Sequence, residues 1–262
     1  MDAADDLFPK IHEQFQQQGF LVVPGLAEDH LYQTLRALAE EHLNRDLGPI
    51  EYEADVQYPG SPVDGQSQGG LTPRRLLNAC SRGQAFLNWA TGTKIRQVLE
   101  ILFTAKDLML SQCHHNCIMT KCPGFSSATL WHQDNRYWKF QEENLISAWL
   151  ALGRESRSNG CLRVIPGSHN MHFDADRLDG KLFLRPELEE NKRLIRTASI
   201  VELLPGDVLF FHSRLMHAAG RNLTDQVKYS LVFTYHRENN QPVNNTRSSR
   251  YRSISLGDAK QN

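Results

Sequence analysis

Along the chain, the spacing of apolar residues changes from a helical to a strand period. Leu7, Ile11 and Phe15 recur every four residues and Gly19 closes the run, which predicts a helix over 5–18. Phe20–Val23 reads as a short strand ended by Pro24-Gly25. After Glu28-Asp29, Leu31, Leu35, Leu38 and Leu43 fall on one helical face. Residues 48–73 are rich in Gly, Pro, Ser and Gln without a period, and read as a long loop of the kind that forms lids or binding loops. Thr72-Pro73-Arg74-Arg75 is expected to open a helical stretch. A clearer helix covers 84–103, with Phe86, Trp89, Ile95, Leu99 and Leu102.

Beyond residue 105 the period shortens. Strands are expected over 108–121, 129–136, 145–152, 161–165, 199–204, 207–211 and 229–236. Turn signals separate them at Pro123-Gly124, Asn159-Gly160 (a hairpin signal), Pro166-Gly167 and Pro205-Gly206, and a polar loop is expected up to about residue 196. Many short strands between Gly/Pro turns, with helices gathered in front, predict a mainly β chain with flanking helices, a sandwich or jelly roll. The expected organisation is one domain over 1–262: a helical part to about 105, a β core over 106–240, and a basic tail over 241–262 whose last six residues are loose.

Within this pattern, Thr129–Trp138 carries the clearest chemistry. If it is a strand, His132 and Asp134 point the same way, with backbones ~6–7 Å apart. One imidazole and one carboxylate are two thirds of the 2-His-1-carboxylate set of non-haem Fe(II) oxygenases. The third ligand must come from His169, His172, His212, His217 or His236. His217 is favoured because it follows the Gly206-Asp207 turn and apolar strand and precedes Gly220-Arg221-Asn222; His212 is its main rival. Cys113-His114-His115-Asn116-Cys117 invites a zinc reading, but strand alternation separates His114 from the cysteines and no second cluster has zinc-site spacing.

Composition narrows the function further. Forty per cent hydrophobic residues suffice for a sizeable core, and a net charge of −1 gives no reason to expect nucleic acid. No apolar run approaches the ~18 residues of a membrane span. The acidic start Met1-Asp2-Ala3-Ala4-Asp5-Asp6 has no secretory character, so a cytoplasmic protein with five reduced thiols is expected.

Four ordered motifs resemble one known family. These are Trp131-His132-Gln133-Asp134, the run Asn159–His169, Pro205-Gly206-Asp207-Val208, and His217-Ala218-Ala219-Gly220-Arg221-Asn222-Leu223-Thr224; Gly19–Leu26 also fits its opening segment. Together they resemble the phytanoyl-CoA dioxygenase family of Fe(II)/2-oxoglutarate oxygenases, over about residues 7–236. The resemblance implies a double-stranded β-helix (a cupin-like jelly roll), with Fe(II), 2-oxoglutarate and O₂ as cofactor and cosubstrates. It also implies His132, Asp134 and His217 as iron ligands and catalytic centre, leaving His212 and His169 structural. Because relatives that halogenate have Ala or Gly in place of Asp134, it implies hydroxylation or a related oxidation.

The resemblance places an Arg eleven residues after the distal His to bind 2-oxoglutarate, but here that residue is Lys228, followed by Ser230 on the same strand face. Lysine keeps the charge and loses the bidentate fork. A Ser expected two residues after the distal His is Ala219. The expectation is that Lys228 and Ser230, helped by Thr120 or Lys121 and by Trp149, hold the cosubstrate; a takeover by Arg221 or another cation is the alternative.

For the substrate, Arg136 shares the parity of His132 and Asp134 and is followed by Tyr137 and Trp138. His114 and Asn116 lie on one face of the 108–121 strand, and Arg247, Arg250 and Arg252 make the tail basic, with Lys192, Arg193 and Arg196 a second basic patch. These groups suit a small polar or anionic molecule, such as a mononucleotide, a CoA ester or a phosphorylated glycolipid. A lipid-borne substrate would add peripheral contact with the cytoplasmic membrane face. His114–Lys121 followed by Trp131–Trp138 also resembles the bacterial branch containing Kdo 3-hydroxylases, which act on the acidic Kdo sugar of the lipopolysaccharide inner core. A jelly-roll binding protein without turnover is the competing class.

Overall fold

The computed structural model describes residues 3–257, so the far C-terminal residues expected to be loose lie mostly outside it. The chain runs α1 (Ala3–Gln18), β1 (Phe20–Val23), α2 (Asp29–Asn44), β2 (Ile50–Tyr52), α3 (Glu53–Val56), β3 (Pro73–Leu77), α4 (Gln84–Ala90), α5 (Thr93–Phe103), β4 (Leu108–Lys121) and β5 (Thr129–His132). It continues as β6 (Ile146–Ala151), β7 (Leu162–Val164), α6 (Glu189–Arg196), β8 (Ser199–Val201), β9 (Val208–His212), β10 (His217–Ala219), β11 (Lys228–Arg237) and β12 (Ile254–Ser255).

Two antiparallel sheets face each other. The larger has the order β1-β9-β6-β11-β4-β3-β2, with β12 also on β4; the smaller is β5-β10-β7-β8. The chain is a double-stranded β-helix, and strand alternation builds its two cores. Ile118, Leu150, Phe210, Leu231 and Phe233 point from the large sheet to α2, α4 and α5, where they meet Leu35, Phe86 and Leu99. The opposite face sends Cys117, Trp149, Leu209, Phe211 and Val232 between the sheets, against Leu162, Val164 and Ala219. The space between the sheets therefore belongs mainly to the odd-numbered residues at the end of β4, leaving Asn116 and Ile118 on the helical side.

Several local expectations change. Residues 73–77 form a strand, not a helix: Arg74 and Leu76 alternate into the interior while Arg75, Leu76 and Leu77 pair with Met119, Ile118 and Cys117. The helix expected over 84–103 breaks at Gly92, where a Cβ would come within 2.9 Å of the Asn88 carbonyl. Asn159-Gly160 is not a hairpin turn, because β6 and β7 belong to different sheets. Gly160 is nonetheless required there, with φ +79° and the Gly220 carbonyl 2.5 Å from where a Cβ would sit. Helix α6 replaces the end of the expected polar loop; its sequence has only Leu194 and Ile195 as apolar residues, too few to show a period. All five cysteines are free.

The irregularity in β4 positions the site. Along β11, partners jump from Phe233↔Asn116 to Thr234↔Ser111, so residues 112–115 are additional to the ladder. The bulge swings both His114 and His115 toward the cavity and cancels the alternation expected there.

Candidate active site

β5 and β10 are neighbours in the small sheet, and His132 lies directly opposite His217. The strand expected over 129–136 ends at His132 and passes into a single 3₁₀ turn at Asp134–Tyr137, which brings the Asp134 carboxylate back toward the histidines. Asp134 Oδ1 is 3.6 Å from His132 Nε2 and 3.7 Å from His217 Nε2. The three residues offer ligand atoms within 4.8 Å of one another, and all three are buried.

The hydrogen bonds prepare these atoms for a cation. His132 Nδ1 donates to the Leu130 carbonyl (2.8 Å) and His217 Nδ1 to the Leu215 carbonyl (2.9 Å). With the proton fixed on Nδ1, each Nε2 carries a free lone pair. Burial lowers the His132 pKa to about 4, which keeps the ring neutral. For Asp134, burial pushes upward, but His115, His217 and His132 outweigh it and hold the carboxyl well below the usual range. Asp134 Oδ2 is buried without a hydrogen-bond partner among the described residues. Two imidazoles that present Nε2 and an anionic carboxylate with an orphaned oxygen fit a divalent transition-metal ion.

His115, absent from the expected site residues, approaches Asp134 Oδ2 to 3.6 Å and the Ser147 hydroxyl to 3.2 Å. The rival histidines lie elsewhere. His212 Nδ1 accepts the Arg214 backbone N–H, His169 bonds the Gln16 carbonyl, His172 is exposed beside Asp174, and His236 bonds Ser253.

The triad opens on a cavity of about 270 Å³ between the sheets. At its deep end Lys228 and Lys121 are directly opposite each other on β11 and β4. Lys228 is not a free cation: Nζ is 3.0 Å from Glu155 Oε2 and 2.9 Å from Ser230 Oγ. Ser230 Oγ and Trp149 Nε1 donate to Glu155 Oε1 at 2.6 and 2.8 Å. The Glu155 backbone is fixed by reciprocal hydrogen bonds with Leu203 (2.8 and 3.0 Å). Lys121 Nζ instead donates only to the Ser127 carbonyl (2.9 Å), and burial, with Arg74 and Lys228 adding to it, pushes its pKa down to about 7. Thr120 lines the cavity, but its hydroxyl is committed to the Pro73 carbonyl (2.8 Å). Arg221 is tied to the Ser126 and Gly124 carbonyls and does not line the cavity.

At the other end, Tyr137, Trp138 and His114 line the cavity. Trp138 stacks on His114 with centroids 4.9 Å apart. Arg136 does not line it: once the strand becomes a 3₁₀ turn its parity no longer matches His132. Its guanidinium instead lies 3.7 Å from the Phe183 ring and donates to the Lys181 carbonyl. Asn116 accepts from the Cys80 N–H on the helical side of the sheet. Arg250 and Arg252 are exposed outside the cavity; Arg247 of the same tail lines it. The 192–196 patch lies on α6, away from the cavity, with Lys192 paired to Glu189. The segment expected as a long loop supplies part of the lining through Glu51, Val56 and Tyr58, and Arg74 and Arg75 of β3 join them. Only its loop composition signalled this, since Arg74 and Arg75 fell in an expected helix.

A cupin-like double-stranded β-helix with two histidines and a carboxylate at its cavity carries the donor set of the mononuclear non-haem Fe(II) oxygenases. The chain belongs to the phytanoyl-CoA dioxygenase (PhyH) family, which matches it over residues 15–230. Peroxisomal phytanoyl-CoA dioxygenase from Homo sapiens is 29% identical over 223 residues, 80% of this chain and 62% of that protein. The chain thus spans less than two thirds of that relative. The Arabidopsis thaliana phytanoyl-CoA dioxygenase is 27% identical over 259 residues, 88% of this chain and 89% of that protein. Among solved structures, the epimerase SnoN in complex with Fe³⁺, alpha ketoglutarate and nogalamycin RO superposes with a TM-score of 0.72 at 20% identity, covering 91% of this chain and 86% of that one. EctD from S. alaskensis, with 2-oxoglutarate and 5-hydroxyectoine, gives 0.70 at 17% identity, covering 93% and 78%. At these identities the likeness is one of fold.

Proposed function

We propose that this protein is an Fe(II)- and 2-oxoglutarate-dependent dioxygenase that hydroxylates a small anionic substrate. The observation that carries the reading is the buried His132–Asp134–His217 cluster, with both Nδ1 atoms committed to carbonyls and Asp134 Oδ2 unpartnered. These residues would hold Fe(II), which with 2-oxoglutarate and O₂ supplies the oxidation of an unactivated C–H bond as succinate and CO₂ are released. The chain's own part is positioning and water exclusion. His132 and His217 present lone pairs from a rigid strand pair, and His115 sits against Asp134. Lys121 offers the distal carboxylate of 2-oxoglutarate a cation, beside the Lys228–Ser230–Trp149 wall. A buried carboxylate is costly without such a partner.

For the substrate, the acidic Kdo sugar is the first choice: the cavity has room for a small polar molecule, and His114, Tyr137, Trp138 and Arg247 surround its mouth. A cytoplasmic site of action follows from that choice, and among the described residues no helix is long and apolar enough to cross a membrane. Another anionic small molecule is the alternative substrate. A second class, a binding protein without turnover, draws support from Glu155, which neutralises the residue standing where a cosubstrate-binding Arg is expected. Purified protein with Fe(II), 2-oxoglutarate, O₂ and Kdo-lipid A decides between them. Substrate-coupled succinate and a +16 product support the sugar hydroxylase. Succinate without that product leaves the enzyme and removes Kdo. No succinate with any candidate favours the binding protein.

A further inference from the structure

Residues 247–255 lie beyond the 15–230 segment that the family model matches. They form a strap along β4. Ile254 and Ser255 pair with Leu110 and Met109 in β12. Three of the four additional residues in the β4 bulge hold the strap: Gln112 Nε2 donates to the Arg252 carbonyl (2.6 Å), Cys113 Sγ accepts the Tyr251 N–H (3.2 Å), and His114 Nε2 meets Ser248 Oγ at 2.9 Å. Ser248 is buried and its Oγ also accepts the Lys139 N–H at 2.8 Å. The fourth, His115, turns the other way and lies against Asp134. One bulge thus ties the strap to the wall of the metal site.

This anchoring brings Arg247 to the cavity mouth. The other cations there are occupied. Arg74 lies between Glu51 and Glu53, Arg75 is 3.2 Å from Glu51, Lys228 is paired with Glu155, and Lys121, bonded to the Ser127 carbonyl, is the cation assigned to the cosubstrate. Arg247 makes no ion pair among the described residues. Beside it His114 Nδ1 is buried without a partner, while Tyr137 is half exposed on the rim.

We propose that Arg247, held over the mouth by the Ser248–His114 anchor, is the specificity-determining residue that receives a carboxylate or phosphate group of the substrate. The inference rests on the oxygenase reading and deepens it. A guanidinium matches either oxyanion with two parallel hydrogen bonds, and the stacked His114–Trp138 pair offers a flat surface for the attached ring or chain. The two ends of the cavity then divide the work, with the lysine end for the cosubstrate and the strap for the substrate.

The test is calorimetric binding of glucose 6-phosphate, glucuronate and glucose to protein loaded anaerobically with Fe(II) and 2-oxoglutarate. The charged sugars should bind the wild type about tenfold or more tightly than glucose, a difference set by one charge-assisted pair. Arg247→Gln should abolish that preference, Arg247→Lys should keep part of it, and Arg250→Gln and Arg252→Gln should leave it intact. The stronger of the two charged sugars distinguishes phosphate from carboxylate. The inference is overturned if Arg247→Gln retains the preference, or if wild type treats all three sugars alike, including binding none. A visible Fe(II)/2-oxoglutarate absorption band in each variant shows that the metal site is intact. Its absence from wild type would instead sink the oxygenase reading.

Discussion

The two ends of the cavity are both built on cross-strand pairs, and they differ in what the protein leaves free. At the metal end His132 faces His217 across β5 and β10, and the chain satisfies only their Nδ1 atoms, so both Nε2 atoms and Asp134 Oδ2 await a ligand. At the deep end Lys228 faces Lys121 across β11 and β4, and Glu155 satisfies one of them in advance. The contrast follows from what each end binds. A divalent cation replaces the missing hydrogen bonds with strong coordination, so orphaned acceptors are tolerable. An organic carboxylate binds more weakly, and two unpaired buried ammonium groups without it would cost several kcal/mol each. Glu155 pairs with Lys228 alone, which leaves Lys121 as the cation for one distal carboxylate.

The largest expected effect lies at the metal end. His217→Ala should remove stoichiometric iron, read by metal analysis after gel filtration, whereas His212→Ala should retain it because His212 bonds only the Arg214 N–H. The reverse result would move the third ligand to the neighbouring strand. Next comes the buried pair: Glu155→Ala leaves Lys228 buried without a counter-ion and should cost about 3–5 kcal/mol in urea unfolding. A double replacement, Glu155→Leu with Lys228→Met, should recover most of that loss. If it does not, the two residues are not coupled as described.

A smaller effect is expected at Lys121. Lys121→Met should weaken 2-oxoglutarate about 10–100-fold, the worth of one charge-assisted hydrogen bond, with iron affinity nearly unchanged. The Lys121 pKa, pushed down to about 7 by burial, adds a direction. Only the charged form attracts the carboxylate, so affinity should fall as pH rises through about 7. Lys121→Arg, which stays charged, should flatten that profile. Calorimetry across pH 6–9 on both proteins reads this, and identical profiles would show that some other cation holds the cosubstrate.

The legible part of the fold and site was local in sequence. His132 and Asp134 are two residues apart, and the Gly/Pro turns that bound the short strands carry their own signal. Parity arguments failed where the chain left regular geometry: Arg136 lies in the 3₁₀ turn and His114 in the bulge, so alternation placed neither correctly. The cation end was half legible. Lys228 stood out by position, but Glu155 reaches it from a loop joining the two sheets and is 73 residues away. No periodicity marks such a partner. Arg247 was hidden among similar arginines, and only the Ser248–His114 contact separates it from Arg250 and Arg252.

His132, Asp134 and His217 are proposed to form an iron site that accepts 2-oxoglutarate. Its most direct test is the visible spectrum of the anaerobic protein with Fe(II), before and after 2-oxoglutarate is added. A weak charge-transfer band should appear only when both are present, and His217→Ala should lack it. A folded wild-type protein that binds both components and shows no such band would contradict the assignment.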